Sequence, residues 1–156
     1  MHGGAGTKPM TDAQFDSLSD ALRAGYQLLK RGASALDAVD TTIRALEASG
    51  LFNAGVGSKL QLDGARRMDA SIMEGRTLRA GAVASIQEVC HPITAARLVM
   101  EETAHVLLVG EPATRFARRF KLERQPPPTH AQRKASKAAH KSRGRLEPQE
   151  IGRAHV

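Results

Sequence analysis

Large apolar residues all but stop after Leu122, so the core of this 156-residue chain must be built by its first 120 residues. The stretch that follows, KLERQPPPTHAQRKASKAAHKSRGRLEPQEIGRAHV, is polar and proline-interrupted. It buries too little surface to offset the entropy of ordering it, and residues 121–149 read as a basic, disordered linker. Charge divides at the same place. Residues 1–120 hold 14 Lys+Arg against 13 Asp+Glu, whereas residues 121–156 hold 9 against 3. The formal net charge of +7 therefore belongs mostly to the tail, and the part able to fold is nearly neutral. That part is long enough for one ordinary domain and one core.

Helical and strand patterns alternate along residues 1–120. In TDAQFDSLSDALRAGYQLLKRG, Thr11 stands three residues before Gln14 at the spacing of a capping box, and Gly32 closes the run. Phe15, Leu18, Leu22, Tyr26 and Leu29 define its apolar face. A second helix follows, with Ser34 and Asp37 at its cap, Leu36, Val39, Ile43 and Leu46 as its buried stripe, and Gly50 just beyond its end. RMDASIMEG and RAGAVAS read as two strands of a hairpin, PITAARLVMEET as a helix opened by Pro92, HVLLVG as a buried strand and EPATRFARRF as a short last helix. Few strands with helices on one side leave the other sheet face bare, so the core reads as incomplete. HGGAG is a turn of the kind that follows a strand, and only Met1 precedes it, which predicts a missing first strand.

Composition excludes several function classes. With no tryptophan, one tyrosine and four phenylalanines, the chain has few rings on which bases could stack, so nucleic acid is not an expected partner. The single cysteine, Cys90, rules out an internal disulfide and a cysteine-rich metal cluster. No apolar run reaches the roughly 20 residues of a membrane span, and the start lacks the order of a signal peptide. A reducing cytoplasm and no membrane partner are expected.

Candidate chemistry concentrates in LFNAGVGS, residues 51–58, where Gly55 and Gly57 allow something to approach the backbone closely. Other candidates are weaker. GGAG lacks the strand before it and the Lys-Ser/Thr after it that phosphate loops use. Cys90 and His91, as neighbours on an extended chain, point to opposite sides. Asp69 and Glu74 stand five apart on a strand and so on opposite faces. Ser58 has no histidine or lysine near it in sequence. No paired-cysteine, HExxH or EF-hand pattern occurs.

HGGAG, LFNAGVGSKLQLDG, MDASIMEG, RAGAVAS and HPITAARLVMEETAHVLLVG, in this order and spacing, closely resemble the α-subunit portion of plant-type L-asparaginase/isoaspartyl peptidase. That family belongs to the N-terminal nucleophile hydrolases, and the resemblance covers residues 2–120. Glycosylasparaginase and threonine aspartase share parts of the pattern. The resemblance implies an α+β fold, the αββα sandwich of those hydrolases, present here as an incomplete N-terminal half. It implies cleavage of L-asparagine and isoaspartyl (β-aspartyl) dipeptides by a threonine freed by self-cleavage at the start of a β-portion. This chain alone is then inactive, since Thr129, between Pro128 and His130, does not fit the nucleophile's setting.

The same resemblance assigns residues. Asn53 supports catalysis beside the threonine, while His2, Gly3, Gly4 and Gly55 wall the substrate site. Backbone carbonyls of Leu46, Glu47, Ser49, Phe52, Ala54 and Val56 hold a structural sodium ion, and no other cofactor is implied. The implied partners are its own β-subunit, in an (αβ)2 heterotetramer, and a small-molecule or dipeptide substrate. GEPA at 110–113 departs from the family's Gly-Glu-Gly-Ala, and Pro112 excludes a positive φ there. The last seven residues, EIGRAHV, differ in kind. A nucleotide string encoding them resembles a sequencing adapter, so residues 150–156 read as an artefact. A different class, a non-enzymatic binding protein that uses the basic 121–149 tail, is the alternative.

Overall fold

The computed structural model describes the backbone of residues 9–142 and the side chains of residues 9–138. Two helices come first, α1 (Asp12–Lys30) and α2 (Ala35–Ser49). A 3-10 turn at Gly55–Gly57 then leads to β1 (Met68–Met73), β2 (Ala80–Ile86), α3 (Pro92–Glu102), β3 (Leu107–Val109), α4 (Glu111–Arg119) and α5 (His130–Ser142).

The caps follow from the sequence. The Thr11 hydroxyl accepts from the Gln14 amide and the Gln14 side chain accepts from the Thr11 amide, closing the capping box of α1. Ser34 caps α2 by accepting from the Asp37 amide at 3.1 Å, and Gly50 ends that helix at φ 70°. Pro92 occupies the first turn of α3, where no amide hydrogen is needed. Pro112 does the same for α4, and the positive φ of this corner falls on Gly110 instead, at 65°.

β1 and β2 pair antiparallel as the hairpin, with an irregular register between Met68 and Ala70. β3 adds in parallel to β2 after the α3 crossover, giving one three-stranded sheet in the order β1-β2-β3. α3 lies on β1 and β2, α2 packs on α3, and α1 packs on α2. The core sits between sheet and α3, where Met68, Ile72, Val83 and Ile86 meet Ile93, Ala96, Val99 and Met100, with Ala113 and Ala117 of α4 closing one side. The result is a mixed α and β fold with a small sheet.

Three expectations need correction. The apolar stripe of α1 is not its buried face: Phe15 (64%), Leu22, Tyr26 and Leu29 are exposed, and Ala21 and Gly25 are buried. Small residues win there because they let the α1 and α2 backbones approach. An added Cβ at Gly25 would stand 3.1 Å from the Ala38 carbonyl oxygen and closer still to the Thr42 hydroxyl. Val39 of α2 is likewise exposed. Nor is β3 a buried strand. It is an edge strand with Leu107 and Val109 half exposed and only Leu108 packed on the core. The same face continues through Ala82 and Ala84 to Ser71, opposite Ala82, and Met73, opposite Ala80, and it is uncovered among the described residues.

The third concerns the tail. Residues beyond 120 were expected to be disordered, yet Leu122 packs on the core and Val89 bridges Arg124 antiparallel. Downstream, α5 begins with a capping box, the Thr129 hydroxyl accepting from the Gln132 amide at 3.2 Å and the Gln132 side chain from the Thr129 amide at 2.9 Å. That T-x-x-Q spacing repeats the one that starts α1.

Candidate functional site

Loop 51–58 leaves the αL end of α2 and doubles back in the Gly55–Gly57 turn. The Gly57 amide donates to Ala54 O at 3.0 Å and the Ser58 amide to Gly55 O at 3.1 Å. Gly55 is buried at φ 51°, and an added Cβ would strike the Glu47 carbonyl oxygen. At Gly57 it would strike Phe52 O and lie 2.8 Å from Gly50 O. Both glycines are thus required by carbonyl oxygens crowding the turn, which is the physical content of the sequence signal here.

Asn53 is exposed on this loop, and its Oδ1 accepts from the Lys59 amide at 2.9 Å. With the oxygen committed to the backbone, the Nδ2 amide is the end left to donate to a ligand. Ser58 is buried beneath. His2, Gly3 and Gly4 lie outside the described residues.

The six carbonyls assigned to sodium belong to this same turn and the α2 end. Oxygens of Glu47 and Phe52 face Gly55 and Gly57 at a closeness only glycine admits. Leu46 O accepts from the Ser49 hydroxyl at 2.7 Å, and Val56 O from the Gln132 side chain at 3.4 Å. Hard neutral oxygens of this kind suit an alkali cation in type. No group of three or more His, Cys, Asp or Glu able to hold a metal occurs among the described residues.

Behind the loop lies a cluster that the sequence reading missed as side chains. Glu47, 4% exposed, reaches from α2 to the start of α3, where its Oε1 accepts from the Ile93 amide at 3.2 Å. Its Oε2 stands 3.3 Å from His91 Nδ1. Burial pushes the Glu47 carboxyl above the usual range, against the pull of His91 and the Ile93 amide. One turn-pair away on α2, Asp40 accepts from the Thr94 hydroxyl at 3.2 Å. Two carboxylates on the buried side of α2, opposite a helix that opens His-Pro, were the available signal; they fix α2 against the α3 N-terminus.

The remaining candidates take structural partners. Asp69 accepts from the Ser85 amide at 2.7 Å beside the strand irregularity, and Glu74 accepts from the Thr77 hydroxyl in the hairpin turn. The Cys90 thiol is buried 3.5 Å from Arg124 O, and burial raises its pKa. Among the described residues no helix is long and apolar enough to cross a membrane.

A mixed α and β fold with a glycine-tight loop at a helix end specifies no activity by itself. A family model described as asparaginase matches residues 1–154. A plant-type L-asparaginase of Thermococcus kodakarensis is 52% identical over 132 residues, 83% of this chain and 43% of its own. An isoaspartyl peptidase of Salmonella typhimurium is 48% identical over 124 residues, covering 75% of this chain and 40% of its own. An isoaspartyl peptidase/L-asparaginase of Danio rerio is 45% identical over 120 residues, at 76% and 39%. The chain belongs to the asparaginase family. It spans about two fifths of the length of the curated relatives it matches.

Proposed function

We propose that this chain is the α-portion of an amidohydrolase that cleaves L-asparagine and isoaspartyl dipeptides, and that it has no activity by itself. The threonine nucleophile comes from a β-portion. Its α-amino group takes the hydroxyl proton, the oxygen attacks the amide carbon, the amine departs with a proton, and water then cleaves the resulting ester. The Asn53 amide donates beside that threonine, orienting it or stabilising the developing negative charge. The observation that carries this reading is the Asn53 geometry. An exposed amide whose oxygen is pinned by Lys59 N–H is a preorganised donor, on a loop within a stretch 52% identical to a plant-type L-asparaginase.

Two further features support the division of labour. The uncovered sheet face bearing Met73, Leu107 and Val109 is apolar enough to need a cover, and a second sheet from the β-portion would complete an αββα sandwich. The carbonyls of Leu46, Glu47, Ser49, Phe52, Ala54 and Val56 hold a sodium ion that stiffens the turn. Two such αβ units pair as (αβ)2.

The test is reconstitution. Supplied with the β-portion of a close relative, the chain gains turnover of L-asparagine or an isoaspartyl dipeptide; alone it shows none. A panel that adds glycosylated asparagine separates the glycosylasparaginase-like variant of the reading. Turnover by the purified chain alone that persists in Asn53→Ala would overturn it.

A further inference from the structure

Between α4 and α5 the chain does not leave the body; it crosses the glycine loop and is fastened at each step. Residues 122–125 run antiparallel to 88–90, with the Cys90 amide donating to Glu123 O and the Gln125 amide to Glu88 O, each at 2.9 Å. Arg124 pairs with Glu88 at 2.9 Å. From there the Gln125 side chain donates to Gly55 O, and seven residues on the Gln132 side chain donates to Val56 O at 3.4 Å. Between them the buried Arg66 guanidinium holds both ends of the span, donating to Pro126 O at 3.4 Å and Gln132 Oε1 at 3.2 Å. Three consecutive prolines, 126–128, keep the span extended, and it forms one wall of an open pocket that Gly64, Ala65 and Arg66 line from the other side.

Arg66 makes this arrangement hard to read as incidental. It is 7% exposed, and its partners among the described residues are a carbonyl and an amide oxygen rather than a carboxylate. Its Nε is buried without a partner. A guanidinium placed in this way is costly unless what it holds stays in place, and it loses two of its acceptors if residues 126–132 lift. The loop meanwhile depends on the same residues, since Gln125 and Gln132 each take a carbonyl of the turn that carries Asn53 on its flank.

We propose that residues 122–132 form a strap, closed here, that locks the Gly55–Gly57 turn by holding its Gly55 and Val56 carbonyl oxygens until it lifts. Arg66 is its buckle. The device is a two-state element: strap closed, turn fixed and covered; strap open, turn free and accessible.

Hydrogen exchange and native-state trypsin digestion of the full chain test it. Closed, the strap protects the Arg124–Gln125 bond far more than a free peptide of residues 118–132, and holds the Gly57 and Ser58 amides. Losing one side-chain hydrogen bond in Gln125→Ala raises both the cleavage rate and the Gly57 and Ser58 exchange rates by about three- to tenfold. Gln132→Ala does the same, but Gln132 also caps α5, so Gln125→Ala decides. Should Gln125→Ala unfold the chain by circular dichroism, Arg66→Lys replaces it with the same expectation, because lysine lacks the fork that spans Pro126 and Gln132. Faster cleavage with unchanged exchange at Gly57 and Ser58 overturns the locking claim. Cleavage of the wild-type chain at Arg124 as fast as the free peptide overturns the strap altogether.

Discussion

Replacing Gly55 by alanine separates two reasons for a glycine that are usually confounded. At φ 51° an L-residue bears left-handed strain of roughly 1–2 kcal/mol. The second reason is space. The new Cβ would lie 2.5 Å from Glu47 Cβ and 2.7 Å from the Glu47 carbonyl carbon, with the oxygen nearer still, where ordinary contact begins at 3.4 Å. Either the α2 end or the turn must move, and overpacking of that sort costs about 1–3 kcal/mol. The expected loss is about 2–5 kcal/mol in all. Gly64 supplies the control, since at φ 80° it has nothing within 4 Å of a built Cβ and carries the strain alone. Gly64→Ala should cost about 1 kcal/mol, part of the strain being offset by a less flexible unfolded chain. Urea unfolding of the two variants, compared at constant m, reads the difference directly. Equal midpoints would refute the close approach of the loop to α2 and leave Gly55 a residue chosen for its backbone angle only.

Other outcomes follow from the same geometry. Because burial raises the Glu47 carboxyl, the folded chain holds that proton longer than the unfolded one, so stability falls as pH rises from the ordinary Glu range through the folded pKa; Glu47→Gln should flatten that limb in thermal melts. Asp37 behaves oppositely. The Ser34 hydroxyl and then Arg97 lower its pKa, so its contribution is present above the unfolded value and lost as pH falls through the folded one, and Asp37→Asn removes that acid limb. Ser34→Ala should cost about 1 kcal/mol in urea unfolding by leaving the Asp37 amide uncapped. In the reconstituted enzyme, Asn53→Ala should lower kcat roughly a hundredfold while assembly, followed by gel filtration, stays intact; undiminished turnover would leave Asn53 as a cap for Lys59.

Elements whose ends carry chemistry were legible. The Thr11 box, the Ser34 cap, Pro92 in the first turn of α3 and Gly50 after α2 all sit where spacing put them, because a cap is a local hydrogen bond. Which side of an element faces inward was less so. The Phe15, Leu22, Tyr26 and Leu29 stripe is amphipathic on paper, but periodicity reports that a face is apolar and not what covers it. α2 meets α1 through small residues instead. Glu47 and His91 are 44 positions apart, and no pattern along the chain announces a buried contact at that distance. The strap was hidden for a different reason. Gln125, Gln132 and three prolines contribute little apolar area, and their order comes from hydrogen bonds to Arg66 and the glycine turn that composition cannot register. The family was legible because five motifs in fixed order carry more information than any one of them.

The α1–α2 contact has a consequence for how such a sequence can drift. Ala21 and Gly25 on one helix meet Ala38 and Thr42 on the other, and the Thr42 hydroxyl donates to Ala21 O at 3.3 Å across the seam. At Gly25 even one added carbon would press on Ala38 and Thr42 and part the helices, so a mutation there is filtered by size before chemistry matters. The outward residues of α1 answer to a different filter, set by whatever surface they meet. One helix therefore carries two kinds of constraint, a seam limited by size at Gly25 and an outer face, Phe15, Leu22, Tyr26 and Leu29, whose replacement leaves untouched how the pair of helices is held together.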